Sequence, residues 1–197
     1  MTANANLNRA TLLAGAALAL SLATVSGAEA ACTDPAGPEV DWSSCDLQGA
    51  NLSDLNLRGA DLTDANLSGA NLNNADLTGA IVTSVNLTDA FLYRAILNGA
   101  NLSGANLSGA YLYRAILNGA DLHGANLADA YLVDADLSGA DLSGANLSGA
   151  DLYGTNVRNA NLFSADLSGA NVLDAYFAGA TWTDGRICGA VSIGECK

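Results

Sequence analysis

The sequence predicts an all-β solenoid of square coils, and three observations carry that prediction. From Leu47 to Trp182 an apolar residue returns at every fifth position through 28 consecutive units, running CDLQG, ANLSD, LNLRG, ADLTD and onward to ATWTD. A period of five suits neither regular element. On an α-helix it advances each leucine by about 500°, a drift of about 140° per unit, so no stripe forms. On a flat strand an odd step throws successive leucines onto opposite faces. Finally, the nine residues Leu92 to Ala100, LYRAILNGA, recur at Leu112 to Ala120, twenty residues on. A fixed short period marks a solenoid, and a return after four units places four units in one coil with the two copies stacked.

The first thirty residues read differently. Met1 to Arg9 is a short, weakly positive opening, Thr11 to Val25 is an apolar run, and Ala28-Glu29-Ala30 fits the small-x-small rule for cleavage. The run is short for a membrane span, which needs about 20 apolar residues. Residues 1–30 are therefore expected to be a Sec-type signal peptide, leaving no stable membrane span in a mature chain that starts near Ala31. Glu29 stands where a lipoprotein signal has an apolar residue, and no Arg-Arg pair suggests the twin-arginine route. Losing Arg9 and Glu29 together leaves the net charge at −13. All four cysteines remain, and export makes disulfides their expected state.

Within the repeat each position has a role. The central leucine, replaced by Val82, Val157, Val172, Phe177 and Trp182, fills a narrow core. Two residues earlier stands Ala, except at Cys45, Leu55, Val85 and Thr155, small because four walls converge there. Asn or Asp just before the centre can hydrogen-bond the turn and ladder between coils, and Gly two after it tolerates a corner's backbone angles.

This A(D/N)LxG pattern resembles the motif of the pentapeptide-repeat family, over residues 45–184. The resemblance implies a right-handed quadrilateral parallel β-helix of about seven coils, a rod of about 34 Å at about 4.8 Å per coil. The expected organisation is an N-terminal cap at 31–46, the β-helix at 47–184 and a C-terminal cap at 185–197. Disulfide α-carbons lie within about 7 Å, and the ends of such a rod are several-fold further apart. Cys32 then pairs with Cys45, and Cys188 with Cys196, each bridge worth about 2–3 kcal/mol.

Little chemistry is expected. His123 is the only histidine and sits outward, so no Ser-His-Asp set can form and the cysteines have no histidine partners for zinc. No strand–GxGxxG–helix context indicates a nucleotide. Asp121 and Asp141 stack on one face, a pair that calcium or acid–base chemistry could use, or that simply ladders with its neighbours. No enzyme activity, metal or cofactor is predicted. Nucleic acid is not an expected partner, because nothing gathers Lys and Arg into a phosphate-binding stripe.

One wall stands apart. Sorting outward positions by the twenty-residue coil collects Phe91, Tyr93, Tyr111, Tyr113, Tyr131 and Tyr153 on the wall centred on Leu52, Leu72, Leu92, Leu112, Leu132, Leu152 and Val172. Arg94 and Arg114 stand beside them, and Ile96 and Ile116 open the adjoining wall. Duplicated coils stack like residues for stability alone, yet aromatic rings with Arg are also the composition of interface centres. The expected function is an exported, non-enzymatic scaffold binding a protein partner, or itself as a homodimer, through this wall. The alternatives are a glycan or cell-wall platform, and, from the family resemblance, an acidic DNA mimic that inhibits a topoisomerase-type enzyme. A periplasmic, extracellular or thylakoid-lumen location would suit the exported readings.

Overall fold

A computed structural model describes residues 31–197; the predicted signal peptide lies outside the described residues. After a short 3₁₀ turn at Ala31–Thr33, the chain winds as a ladder in which each residue before a unit centre bridges, in parallel, the residue twenty positions on. These bridges run from Asp41↔Asp61 to Asn161↔Thr181. Four walls follow one another around the coil. Wall A is centred on Leu47, Leu67 and their equivalents up to Leu167, wall B on Leu52 to Val172, wall C on Leu57 to Phe177, and wall D on Trp42 to Trp182. Each wall contributes one bridged residue per coil and then turns, so no strand grows longer.

The backbone explains why the five-residue unit is stable. At each unit the N–H of the centre and that of the corner residue two later donate to the next coil, as Leu92 to Tyr111 (2.8 Å) and Arg94 to Tyr113 (3.0 Å). The N–H before the centre donates to the preceding coil, as Phe91 to Ala70 (2.9 Å). The N–H three after the centre closes a turn, as Ala95 to Leu92 (3.0 Å). The remaining amide, just after the centre, is taken by the unit's own Asn or Asp, as Ser53 N–H to Asn51 Oδ1 (3.3 Å) and Ser143 N–H to Asp141 Oδ1 (2.9 Å). In the typical unit, with Asn or Asp before the centre and Ala at the turn's close, all five donors are thus paired, as a low-dielectric stack requires.

Every corner from Ser44 to Gly179 has a positive φ, between 54° and 75°. With the 4→1 bond, which only the turns closed by Leu55 and Val85 lack, this makes the corners type II turns. Glycine takes this conformation freely, yet Asp, Asn, Ser and Arg adopt it here too, because three ladder bonds per unit over-determine the corner. Corners also fit vertically: the Asp89 carboxylate lies where a Cβ on Gly109 would stand.

Inside, the central leucines and the alanines before them are almost all fully buried from Leu52 to Leu162. Thr155 replaces alanine without penalty because its buried hydroxyl donates to the Leu132 carbonyl at 2.7 Å. At the N-terminal end Trp42 occupies a central position and is buried, its Nε1–H donating to the Asp34 carbonyl at 3.3 Å. Parallel pairing therefore begins one unit before the leucine run. At the far end Phe177 meets Trp182 edge to face, ring centres 5.0 Å apart. Cys32 is joined to Cys45 and Cys188 to Cys196. Among the described residues no helix is long and apolar enough to cross a membrane.

Candidate interaction surface

Wall A shows the ordinary outward chemistry. Asn146 Nδ2–H donates to Asn126 Oδ1 (3.0 Å), and Asn126 in turn to Asn106 (3.1 Å), so each amide both completes its own turn and holds the coil below. Wall B abandons this pattern in its middle coils. Phe91, Tyr111 and Tyr131 occupy the bridging position and stack face to face, with centres 5.1 and 4.9 Å apart and planes within 8°. Tyr113 joins at 5.9 Å from Tyr131. Phe91, Tyr93, Tyr131 and Tyr153 are exposed, whereas Tyr111 and Tyr113 are half-buried. Tyr153 belongs to no ring stack, and Tyr93 instead lies under the Arg94 guanidinium, 5.8 Å from its centre. Arg114 pairs with Asp134 of the next coil at 3.5 Å. Ile96 and Ile116 bridge one another on wall C, the first half-buried and the second exposed.

Two local departures occur on this wall, the first shared with the amides of Thr83, Asn98 and Asn118 behind Ile81, Ile96 and Ile116 on walls D and C. An aromatic residue before the centre offers no acceptor to the amide two residues on. Tyr93 N–H is rescued by Asn73 Oδ1 of the coil below, at 2.8 Å; the amides of Tyr113 and Val133 have no acceptor among the described residues. Arg94 and Arg114 hold left-handed corners, at φ 57° and 56°, where a residue with a Cβ costs about 1–2 kcal/mol. Stacking, at about 0.5–1.5 kcal/mol per pair, offsets part of this.

The phenols respond to their neighbours. Burial pushes Tyr113 upward, reinforced by the Asp151 carboxylate. Tyr153 is pushed upward by hydrogen bonding to Asp174 and by that residue's charge. The sorting by aromatic residues passed over Val133 and Leu173, which hold the same outward position on this wall. Leu173 is 62 % exposed and carries the apolar strip to the C-terminal end. Counting aliphatic residues just after each centre would have found both.

Elsewhere many outward groups are engaged in the ladder, though Asn98 Oδ1 on wall C is buried without a partner. His123 Nδ1 lies 3.0 Å from Ser143 Oγ on the coil above. Asp121 and Asp141 bridge, and Asp141 Oδ1 accepts from Ser143 N–H and, at 3.0 Å, from Asn161 Nδ2–H. Partial burial opposes the Asp141 charge, but these hydrogen bonds and the nearby His123 outweigh it and hold its pKa below the usual range. Among the described residues no His, Cys, Asp and Glu side chains gather as a metal-binding group.

The pentapeptide-repeat family model matches in eight copies, over residues 45–83, 83–119, 105–144, 120–159 and 140–177. The chain belongs to the pentapeptide repeat family. Among solved structures, it is 32 % identical to HetL, a pentapeptide repeat protein involved in heterocyst differentiation regulation in the cyanobacterium Nostoc sp. strain PCC 7120; the match covers 76 % of this chain and 90 % of that one, with a TM-score of 0.42. Full-length QnrB1, a plasmid-mediated fluoroquinolone resistance protein, is 22 % identical over 68 % of this chain and 82 % of its own, at a TM-score of 0.41. A pentapeptide repeat protein of the Arabidopsis thaliana thylakoid lumen is 24 % identical over 61 % and 79 %, at 0.34. Among curated proteins none matches.

Proposed function

We propose that this pentapeptide repeat protein is a non-enzymatic exported scaffold, a right-handed quadrilateral β-helix of about seven coils, whose aromatic wall binds a protein partner. The observation that carries the reading is the pair of departures on wall B. Unpaired amides at Tyr113 and Val133 break a rule that wall A keeps, and the left-handed arginines at 94 and 114 take a corner that wall A gives to glycine or, at Asp89 and Asp129, to aspartate. Such breaks concentrate where a surface is kept for contact. Exposed rings beside arginines have the chemistry of interface anchors.

A protein partner suits the wall better than a glycan. Phe91, Tyr111 and Tyr131 cover one another's faces and turn their edges outward, so the flat platform on which a sugar stacks is taken up internally. The DNA-mimic alternative needs a continuous row of displayed carboxylates, whereas Asp76, Asp136, Asp141 and Asp151 are held by neighbouring side chains and the exposed corner carboxylates Asp54, Asp64, Asp89 and Asp129 are spread over three corners of the coil. Export rests on the predicted signal peptide together with the two bridges at the rod's ends.

The test compares wild type with Tyr93→Ala/Tyr113→Ala as bait in the fraction where the chain resides. A specific protein retained by wild type and lost from the variant supports the reading, and identical capture refutes it. Sequencing the N-terminus of that material checks export: a start near Ala31 is expected, and an intact Met1 in the cytosol contradicts it.

A further inference from the structure

The ring stack on wall B carries a second kind of chemistry, because three of its four rings are phenols. Of the chain's tyrosines, Tyr111, Tyr113 and Tyr131 lie in ring contact, whereas Tyr93, Tyr153 and Tyr176 stack on no other phenol. Tyr131 is the shared member. Its ring centre is 4.9 Å from that of Tyr111 with planes 6° apart, and 5.9 Å from that of Tyr113 with planes 14° apart. The closer pair is also bridged in parallel through the backbone, so the two residues stand one coil spacing, about 4.8 Å, apart. Hydrogen bonds on both sides fix that register: Leu112 N–H donates to the Tyr131 carbonyl at 2.8 Å, and Tyr131 N–H to the Ala110 carbonyl at 2.9 Å. Phe91 closes the lower end of the stack and has no hydroxyl proton to lose.

Two phenols held in this way are set for oxidative coupling. We propose that Tyr111 and Tyr131 form a cross-linking site, joined ring carbon to ring carbon as a dityrosine by hydrogen peroxide acting through a haem peroxidase. Each phenol gives up one electron and its hydroxyl proton and becomes a phenoxyl radical. The radicals join at the carbons ortho to oxygen, and the hydrogen displaced from each of those carbons returns to an oxygen. The pair has then lost two electrons and two protons, and the peroxide takes up both and becomes two molecules of water. Tyr131 is exposed and Tyr111 half-buried beside it, so the first electron leaves Tyr131 and the second oxidation finds Tyr111 already in contact with the radical. A proton acceptor stands close by. Asp151 is bridged to Tyr131 on the next coil, and its charge adds to the upward push that burial gives the Tyr113 phenol. The product would tie residues twenty apart, a longer loop than the disulfides close at separations of 13 and 8. A longer closed loop constrains the unfolded chain more, and this one lies in the middle of the rod, away from both end bridges. The site stands independently of any partner of wall B.

The test treats the full chain, both disulfides formed, with a haem peroxidase and limiting hydrogen peroxide. A chain concentration of about 1 µM lies far below the effective concentration, on the order of millimolar, of groups tethered in one chain. The expected product has the mass of a single chain less two hydrogens, shows the blue fluorescence of dityrosine, and on digestion yields the Tyr111 and Tyr131 peptides joined. Phe91 shows that the stack accepts a ring without a hydroxyl, so Tyr111→Phe and Tyr131→Phe change the chemistry and keep the packing. Each is expected to lower the yield at least roughly tenfold, since proximity sets the rate. Tyr93→Phe and Tyr153→Phe are expected to leave it unchanged. Should a variant fail to fold, the peptide map of wild type decides alone. No coupling within a single chain, a joined pair other than Tyr111 and Tyr131, a yield indifferent to Tyr111→Phe or Tyr131→Phe, or one lost with Tyr93→Phe or Tyr153→Phe overturns the proposal.

Discussion

Asn126 on wall A offers the sharpest test of how the coils are held together. Its Oδ1 accepts from the Ala128 amide (3.2 Å) and from Asn146 Nδ2–H (3.0 Å), and its Nδ2–H donates to Asn106 (3.1 Å). Asn126→Ala removes all three bonds. At about 1 kcal/mol net per bond, discounted because the site is half-exposed, the loss is about 2 kcal/mol. For an array of this size that lowers the melting temperature by about 4–8 °C. Asn126→Asp keeps both acceptor roles but sets a carboxylate against Asn106 Oδ1, and should fall between the alanine variant and wild type. Ser148→Ala is the control, since the Ser148 amide rather than its hydroxyl engages Asn146. Melting followed by circular dichroism measures all three. If Asn126→Ala melts with wild type, the amide ladder is decoration and the unit's stability lies in the core alone.

Three further outcomes follow from the same structure. Leu112 is fully buried, so Leu112→Asp places an unpaired charge in the core and should destabilise by several kcal/mol, roughly 3 or more; unchanged melting would defeat the inward assignment. Asp76 and Asp141 have lowered pKa values, so the unfolded chain binds their protons first as pH falls. Their contribution is complete above the ordinary aspartate value of 3.8 and is lost as pH drops through the lower folded values. Asp141→Asn should therefore lose less stability than wild type on acidification below that point, and an identical acid transition would contradict the linkage. Arg94→Gly/Arg114→Gly relieves two left-handed corners at the loss of one exposed ion pair, worth about 0–1 kcal/mol, and a cation–π contact of about 0.5–1 kcal/mol; a melting temperature at or above wild type is expected, and a clear fall would show that the arginines are there for stability.

Much of this architecture was legible because a single unit repeats. The leucine spacing excluded helix and flat strand, and the duplicated LYRAILNGA measured the coil, which the Phe91↔Tyr111 and Ile96↔Ile116 bridges now display directly. Where the consensus faded, legibility faded with it. Trp42 holds a unit centre, but Val40-Asp41-Trp42-Ser43-Ser44 lacks the alanine and leucine that announce one. Corner glycines pointed to positive φ, yet nothing local indicates that Arg94 and Arg114 share it, because the coil imposes that conformation from outside the residue. Tyr111 could be placed on its wall, but that it leaves the Tyr113 amide without an acceptor emerges only once the Asn51-type turn bond has been seen. The seating of the C-terminal segment is a tertiary fact. Ile187 and Ile193 could lie over any two walls until the Cys188–Cys196 bridge and the antiparallel pairing fix them over C and D.

The claim that wall B is kept for contact rather than stacking is tested most directly by measuring affinity and stability on the same variant. With the captured partner in hand, Tyr113→Ala should weaken binding at least roughly tenfold, the loss expected of an interface anchor. Its own melting temperature should shift by no more than about 2–4 °C, the effect of losing one ring contact. Undiminished binding alongside a large drop in melting temperature would show the reverse, a wall built to hold the rod together.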